Sequence, residues 1–444
     1  MLLTIEKLVY GGDGLSHLPA DDSGRGKAVF LPFVLAGERV EASVTEQKRG
    51  FVRAQAARVI GASPQRVIPR CPYFGTCGGC HYQHAGYEHQ LEIKRGILRE
   101  TLRRTAKLEL SSEIQVHASP PWNYRNRSRL QVQSNPEFVA GYFKMRSHEL
   151  LAVEECPISS PLINRGIAAL WRSGRAGEVP AGIREVEFLA NGDDLQMLVQ
   201  VSCSAEARRA AVRSWSEQFQ GSMPGVSGIV AFREAESRGE RTTERFLTVG
   251  SDHLMYQTGR AAYRVSAGSF FQVNRYLTDE LVSLVAGGQS GEVALDLYSG
   301  VGLFSTALAG DFHHIFSVES SQTSSTDLSY NLPSNGEAVQ ASAEQYLARL
   351  ESKGRVGKGE FLPHSTHKPD LAVVDPPRSG LGERVARKLA NLGAPRVIYV
   401  SCDPATLARD LVVLLGAGYR MDQVHLVDLF PQTYHLETVV HLVR

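Results

Sequence analysis

Two short motifs in the last third of the chain carry groups suited to covalent chemistry. One is Val400-Ser401-Cys402-Asp403-Pro404, with a single thiol; the other is Val373-Val374-Asp375-Pro376-Pro377-Arg378, with a carboxylate before a rigid Pro-Pro step. Each closes a short apolar run, 396–400 and 370–374, that reads as a buried parallel strand. Both motifs then fall at the C-terminal ends of strands, where open α/β sheets place their ligands. A thiol held at such a point is a candidate nucleophile.

A second group of cysteines has a different pattern. The chain has 6 Cys, and three of them lie in Cys71-Pro72-Tyr73-Phe74-Gly75-Thr76-Cys77-Gly78-Gly79-Cys80-His81, a C-x5-C-x2-C array. Glycines let the backbone curl so that three sulfurs face one centre. A fourth thiolate would complete either a zinc site or an iron–sulfur cluster. Cys203 sits in the alternating strand pattern Val199-Gln200-Val201-Ser202-Cys203 and reads as a small core residue. Cys156 shares the Cys-Pro context of Cys71, so the expected ligand set is Cys71, Cys77, Cys80 and Cys156. Spacing alone leaves zinc and iron–sulfur open.

A third signal lies in Leu295-Asp296-Leu297-Tyr298-Ser299-Gly300-Val301-Gly302-Leu303, which reads as strand, glycine turn and helix start. Glu319 closes the next strand, about 20 residues after Asp296, the spacing at which an acidic side chain grips ribose hydroxyls. The turn lacks the third glycine of a dinucleotide fingerprint, which disfavours a pyrophosphate ligand. A phosphate-free nucleoside such as S-adenosylmethionine fits better, with Tyr298 against it.

The acceptor atom decides which protein groups a methyl donor requires. An exocyclic amine needs only desolvation and orientation. Carbon 5 of a pyrimidine becomes nucleophilic only after a thiolate adds to carbon 6, and Cys402 supplies such a thiol. The proton on carbon 5 must then leave, which calls for a general base. His435 and Glu437 both lie at the end of a loop before the last strand. Glu437, at the mouth of a strand rich in Val and Leu, is the odder placement and the favoured base.

The elements that must position these groups divide the chain into three expected domains, 1–61, 62–263 and 264–444. The 444 residues and hydrophobic fraction of 43% support several cores. No apolar run approaches the about 20 residues of a membrane span. The first residues lack the features of a secretion signal, so a cytoplasmic protein is expected. A net charge of +1 says little as a total; affinity for nucleic acid must come from a local basic face. Short alternating strands over the first 60 residues suggest a small β-barrel. Residues 87–108 read as a helix whose polar face carries Lys94, Arg95, Arg99, Arg103, Arg104 and Lys107. Trp122-Asn123-Tyr124-Arg125-Asn126-Arg127-Ser128-Arg129 has the mix of aromatics, amides and arginines suited to a single RNA strand. Residues 130 to 265 read as antiparallel β with helices near 161–172 and 205–219. The basic stretch 353–368, with His364 and His367, reads as a loop.

Together these motifs resemble the S-adenosylmethionine-dependent RNA 5-methyluridine methyltransferases, specifically the iron–sulfur-containing branch. The matching stretches are Phe270-Phe271-Gln272-Val273-Asn274, Asp296-Leu297-Tyr298-Ser299-Gly300, Asp375-Pro376-Pro377-Arg378, Ser401-Cys402-Asp403-Pro404 and His435-Leu436-Glu437-Thr438. The resemblance implies a Rossmann-like class I methyltransferase domain, an N-terminal oligonucleotide-binding-type TRAM barrel and a central β-rich domain. It implies a 4Fe–4S cluster on Cys71, Cys77, Cys80 and Cys156. Gln272, Tyr298, Glu319 and Asp375 are expected to line the cofactor and uracil pocket, with Cys402 as nucleophile and Glu437 as proton acceptor. The expected substrate is structured RNA, ribosomal RNA ahead of transfer RNA, with the protein a monomer.

Overall fold

The computed structural model describes residues 1–19, 26–110, 113–237, 240–355 and 368–444. The stretch 356–367, with His364 and His367, lies outside the described residues.

The first sheet contains β1 (Leu2–Thr4), β2 (Lys7–Leu8), β3 (Asp13–His17), β4 (Ala28–Pro32), β5 (Arg39–Gln47) and β6 (Phe51–Gly61), in the order β1-β5-β6-β4-β3-β2. Alternation puts Val40, Val29, Leu31 and Val52 into its core and leaves Glu41 and Arg58 outside. Residues 62–86 then run without a helix or extended strand, bridged by Arg66 to Ala85 and by Cys77 to Lys144.

Helix α1 (Tyr87–Ala106) follows and stops at Lys107, whose left-handed backbone lets its N–H reach the carbonyl of Leu102. Its Ile97, Leu98 and Leu102 pack into the core of the C-terminal sheet rather than against the first one. The short β7 (Gln115–His117) joins that C-terminal sheet as an edge strand.

The central sheet runs β10-β9-β8-β11-β12-β13-β14. Its strands are β8 (Arg127–Gln133), β9 (Val139–Phe143), β10 (Leu150–Ala152), β11 (Ile183–Ala190), β12 (Met197–Cys203), β13 (Val226–Ser237) and β14 (Glu240–Gly250). Helices α2 (Pro161–Arg175) and α3 (Arg209–Ser222) share one apolar core with it, and Cys203 is buried there as expected. The sheet is not wholly antiparallel: β12 and β13 are parallel. The crossover through α3 makes that possible, since parallel neighbours need a long connection.

A hairpin of β15 (His253–Gln257) and β16 (Ala262–Ser266) leads to α4 (Thr278–Ala286). The rest is one α/β layer. Its strands are β17 (Gly291–Leu297), β18 (Phe312–Glu319), β19 (Gly336–Gln340), β20 (Leu371–Val374), β21 (Arg396–Ser401), β22 (Arg420–Val427) and β23 (Glu437–Val443). Between them run α5 (Leu303–Leu308), α6 (Gln322–Asn331), α7 (Ala343–Arg355), α8 (Gly382–Leu392) and α9 (Pro404–Gly416). The order is β19-β18-β17-β20-β21-β23-β22-β7, and only β23 runs antiparallel to its neighbours. The order reverses beside β17, so the crevice for a ligand opens at the C-terminal ends of β17, β18 and β20. Strand β20 is buried along its whole length, which is why it reads as an unbroken apolar run. Among the described residues, no helix is long and apolar enough to cross a membrane.

Candidate active site and cysteine cavity

The turn after β17 is built for close approach. Tyr298, Gly300 and Gly302 all have positive φ, and a Cβ on Gly302 would come 2.9 Å from Leu328. The Glu319 carboxylate at the end of β18 accepts hydrogen bonds from the N–H of Gly300 at 2.9 Å and of Ser321 at 2.6 Å, fixing it on the rim of the turn. Asp296 is fully buried, accepts from the Ser305 hydroxyl, and keeps one oxygen without a partner. Burial pushes its pKa up to about 7.

Cys402 sits between the end of β21 and the start of α9. Asp403 caps that helix, accepting from Ala405 N at 2.9 Å and Thr406 N at 3.0 Å, and Pro404 opens the first turn. The thiol is therefore held on a rigid strand-to-helix corner. Thr438 pairs with Ser401 across the sheet, which places Glu437, the first residue of β23, beside Cys402. Glu437 is 5% exposed.

The electrostatics tie these groups together. Burial, then the charges of Glu437 and Asp375, push the Cys402 thiol up to about 12, while Arg378 pulls it down. Burial and then Asp375 raise Glu437 well above the usual carboxylate range, again opposed by Arg378. Asp375, half-buried, is pushed up to about 7 by burial and then by Asp296. Burial and the Arg378 charge hold His435 down to about 3, leaving it a poor proton acceptor at neutral pH. Arg378 Nη2 lies 3.4 Å from His435 Nδ1.

The register sets Glu437 opposite Cys402, and the Asp375 charge acts on both, while Asp296 raises Asp375 and Glu319 in turn raises Asp296. Tyr298 is half-buried against the core, and burial, then the charges of Asp410 and Glu344, push its hydroxyl up to about 12. Gln272 comes from the stretch between β16 and α4 and is buried; its carbonyl accepts from Asn126 Nδ2 at 3.0 Å. Two groups lacked an assigned role in the sequence. Arg378 had a visible signal, a cation fixed by the preceding Pro-Pro. Tyr10 had none: it reaches from the first sheet to donate to the Cys402 carbonyl at 3.3 Å and meets Tyr434 edge-on at 5.5 Å.

Cys71, Cys77, Cys80 and Cys156 line one cavity of about 540 Å³, walled by Tyr73, Phe74, Tyr142 and Phe143. Gly75 turns the loop at φ 87°, and a Cβ on Gly78 would crowd the Phe143 carbonyl at 3.2 Å. Asn164 on α2 holds the backbone of Cys156 at both its N–H and its carbonyl. Burial takes Cys77 up to about 11 against the pull of the Gly79 N–H, with smaller pushes from the Cys156 and Cys71 thiols; burial and Cys156 also raise Cys80. Arg125 contributes a buried Nε without a partner to this wall. Among the described residues, no three Cys, His, Asp or Glu side chains group closely enough for a single metal ion.

Two readings from the sequence are corrected. Lys94 is not on the polar face of α1; it is fully buried, 2.6 Å from Asp428. The stretch 122–129 is open to RNA only in part, with Arg129 exposed and Trp122 half-buried. Tyr124 and Asn126 are fully buried, and Arg127 and Arg129 both pair with Glu187, at 2.5 and 2.7 Å. Internal partners compete for the same aromatic and cationic groups that a single strand would use.

The order of the C-terminal sheet and its crevice define a class I methyltransferase domain. A solved structure of the Pyrococcus abyssi tRNA (uracil-54, C5)-methyltransferase with S-adenosyl-L-homocysteine shares the fold over 100% of both chains, at a TM-score of 0.74 and 23% identity. Residues 86–444 match the family model for tRNA (uracil-5-)-methyltransferase, and residues 1–57 match the TRAM domain. An uncharacterized RNA methyltransferase of Aquifex aeolicus is 34% identical over 99% of this chain and 97% of its own. The 23S rRNA (uracil(1939)-C(5))-methyltransferase of Halomonas elongata is 31% identical over 99% of this chain and 89% of its own.

The chain belongs to the RNA uracil-5-methyltransferase family, with a TRAM domain at its N-terminus. It is an enzyme that uses S-adenosylmethionine to methylate carbon 5 of uracil in RNA.

Proposed function

We propose that Cys402 is the nucleophile and Glu437 the proton acceptor of this reaction, on a uridine of large-subunit ribosomal RNA. The observation that carries this is the facing of a lone thiol and a buried carboxylate across β21 and β23, with Arg378 opposing the pKa rise of both. The Cys402 thiolate adds to carbon 6, and the electrons of the 5,6 double bond move onto the carbon 4 oxygen. Carbon 5 then takes the methyl group as the carbon–sulfonium bond breaks, releasing S-adenosylhomocysteine. Glu437 removes the proton from carbon 5, the double bond reforms, and the thiolate leaves carbon 6.

A thiol raised to about 12 is mostly protonated at neutral pH, and the arrangement suggests how it is activated. Two of the causes are the negative charges of Glu437 and Asp375. They fall away when those acids hold protons, leaving Arg378 and the incoming sulfonium to act against burial and the Asp403 charge. Asp375 is then a pocket residue for the base, and Gln272, Tyr298 and Glu319 line the crevice around it and the donor. The match of the Halomonas elongata protein along nearly the whole chain favours ribosomal RNA.

The cysteine cavity fits a 4Fe–4S cluster on Cys71, Cys77, Cys80 and Cys156. A zinc ion would draw four sulfurs to about 2.3 Å from one point. Four thiols spread around an aromatic-walled cavity suit a larger group, and the unpartnered Arg125 Nε suits its negative charge. Methyl transfer needs no redox step, so the cluster's contribution here is to hold residues 71–80 and 156 in place.

The test is to incubate the enzyme with S-adenosylmethionine and RNA containing 5-fluorouridine. Fluorine cannot leave as a proton does, so a covalent protein–RNA species accumulates if Cys402 attacks carbon 6. RNA binding without an adduct that depends on Cys402 would exclude this mechanism. Mapping 5-methyluridine in ribosomal and transfer RNA from cells with and without the gene identifies the substrate.

A further inference from the structure

The segment between β22 and β23, residues 428–436, delivers Glu437 to the pocket, and its anchors come from the cysteine segment, α1 and Tyr124 before β8. Lys94 Nζ donates to the Phe430 carbonyl at 2.9 Å, and the Tyr124 hydroxyl donates to the Pro431 carbonyl at 3.0 Å. The N–H groups of His81 and Tyr82, directly after Cys80, both donate to the Gln432 carbonyl, at 2.8 and 2.9 Å.

The tightest link is a reciprocal pair of glutamines. Gln432 N donates to Gln90 Oε1 at 2.9 Å, and Gln90 Nε2 lies 3.0 Å from Gln432 Oε1. Gln90 Nε2 also reaches the carbonyls of Tyr82 at 3.1 Å and Ala85 at 2.9 Å. Gln90 is fully buried and Gln432 is 3% exposed. Gln432 has φ 68°, a left-handed backbone that a residue with a side chain keeps only where its surroundings impose it. A buried amide costs desolvation unless it is hydrogen-bonded, and here Gln90 uses both its oxygen and its nitrogen across the two segments.

We propose that Gln90 and Gln432 are positioning residues that lock the Glu437 loop to the cysteine segment, so that this segment governs proton removal from carbon 5. The Cys402 and Asp375 turns hang on β21 and β20; neither glutamine bonds to them, and the loop meets them at its far end, where His435 Nδ1 lies 3.4 Å from Arg378 Nη2 and Tyr434 packs against Tyr10. Attack on carbon 6 and methyl transfer therefore proceed without it, and only release of the finished product depends on it. The inference rests on Glu437 as the base.

The experiment uses ordinary uridine RNA with S-adenosylmethionine and follows the covalent protein–RNA species, its methyl content and the turnover rate. Glu437→Gln is the reference, since loss of the base strands a methylated adduct. Gln432→Gly keeps the left-handed backbone and removes only the side-chain amide; Gln90→Leu removes its partner. Both are expected to accumulate the methylated adduct while turnover falls roughly tenfold, less than the roughly 10²–10⁴ that outright loss of a general base costs. Adduct formation on 5-fluorouridine RNA stays at the wild-type rate. Gln432→Gly suits its own φ, so it remains informative if Gln90→Leu does not fold. A Glu437→Gln enzyme without the adduct overturns the base assignment. A Glu437→Gln enzyme with the adduct, beside a Gln432→Gly enzyme without it or with unchanged turnover, overturns the clasp.

Discussion

Apart from Cys203 in the central core, the molecule holds thiols in two places, and in both burial pushes them upward: Cys402 to about 12 and Cys77 to about 11. Their remaining causes differ. Around Cys402 the other charges are carboxylates opposed by Arg378, on strand ends of one rigid sheet. Around Cys77 and Cys80 the neighbouring charges that raise the thiols are mainly the other thiols of the set, in a loop between sheets. A raised thiol is therefore not a sign of either role. The kind of cation that would bring it down is. One thiol among acids answers to a single passing positive charge, whereas four mutually repelling thiols need a resident group of high positive charge.

Removing the lone thiol should have the largest effect. Cys402→Ala is expected to abolish the 5-fluorouridine adduct and cut methylation by roughly 10⁴-fold or more, while RNA binding persists. Residual turnover near the wild-type level would break the comparison, because the thiol at the sheet end would then have no covalent part. Glu437→Gln comes next, with a loss of about 10²–10⁴ in turnover but an intact first chemical step. Equal loss in both steps would move the base elsewhere.

The lone thiol and its neighbours were legible because strand physics isolates them. Runs such as 371–374 are apolar throughout, so the first polar residue after each marks a sheet end, and Asp375 and Cys402 stood out on that ground. Glu437 was visible as an acid opening an apolar strand. What stayed hidden was pairing at long range. Lys94 has the spacing of a surface charge on an amphipathic helix, and only its partner Asp428, 334 residues away, explains why it is buried. Arg127 and Arg129 looked like RNA contacts until Glu187 came beside them from β11. The parallel join of β12 to β13 and the addition of β7 to the last sheet are likewise decided by packing, not local pattern.

The cysteine set should respond differently from Cys402. Cys77→Ser is expected to lose the visible absorbance of a bound cluster and to lower the melting temperature by roughly 5–10 °C, as when a structural metal site is lost. Covalent attack on 5-fluorouridine RNA by the folded fraction should survive. A variant that melts as wild type but fails in that attack would place the set in the chemistry itself.

The acidity of Cys402 offers a smaller, graded test. The thiolate is the reactive form, and a thiol raised to about 12 is deprotonated in growing proportion as pH climbs, by about tenfold per unit below its pKa. Single-turnover adduct formation should therefore rise between about pH 6 and pH 9. Asp375 and Glu437, both raised by burial, lose protons as pH climbs, and their returning charges push the thiol back up, so the rise should be shallower than tenfold per unit. A flat profile would show that bound donor and Arg378 have already drawn the thiol below this range.

Tyr10 brings the TRAM domain into contact with the nucleophile's own residue. Its hydroxyl donates to the Cys402 carbonyl at 3.3 Å, and its ring meets Tyr434 next to His81 and His435. Tyr10→Phe removes the hydroxyl and keeps the ring. A hydrogen bond of this kind contributes about 0.5–1.5 kcal/mol, so adduct formation should slow by roughly 2- to 10-fold with RNA affinity unchanged. Tyr10→Ala removes the ring as well and should slow product release in addition, since Tyr434 lies in the loop that carries Glu437. If Tyr10→Phe weakens RNA binding and leaves the adduct rate alone, the barrel contributes through the RNA and not through the turn. If both rates hold, the corner formed by β21 and the Asp403 cap places Cys402 without help from the first sheet.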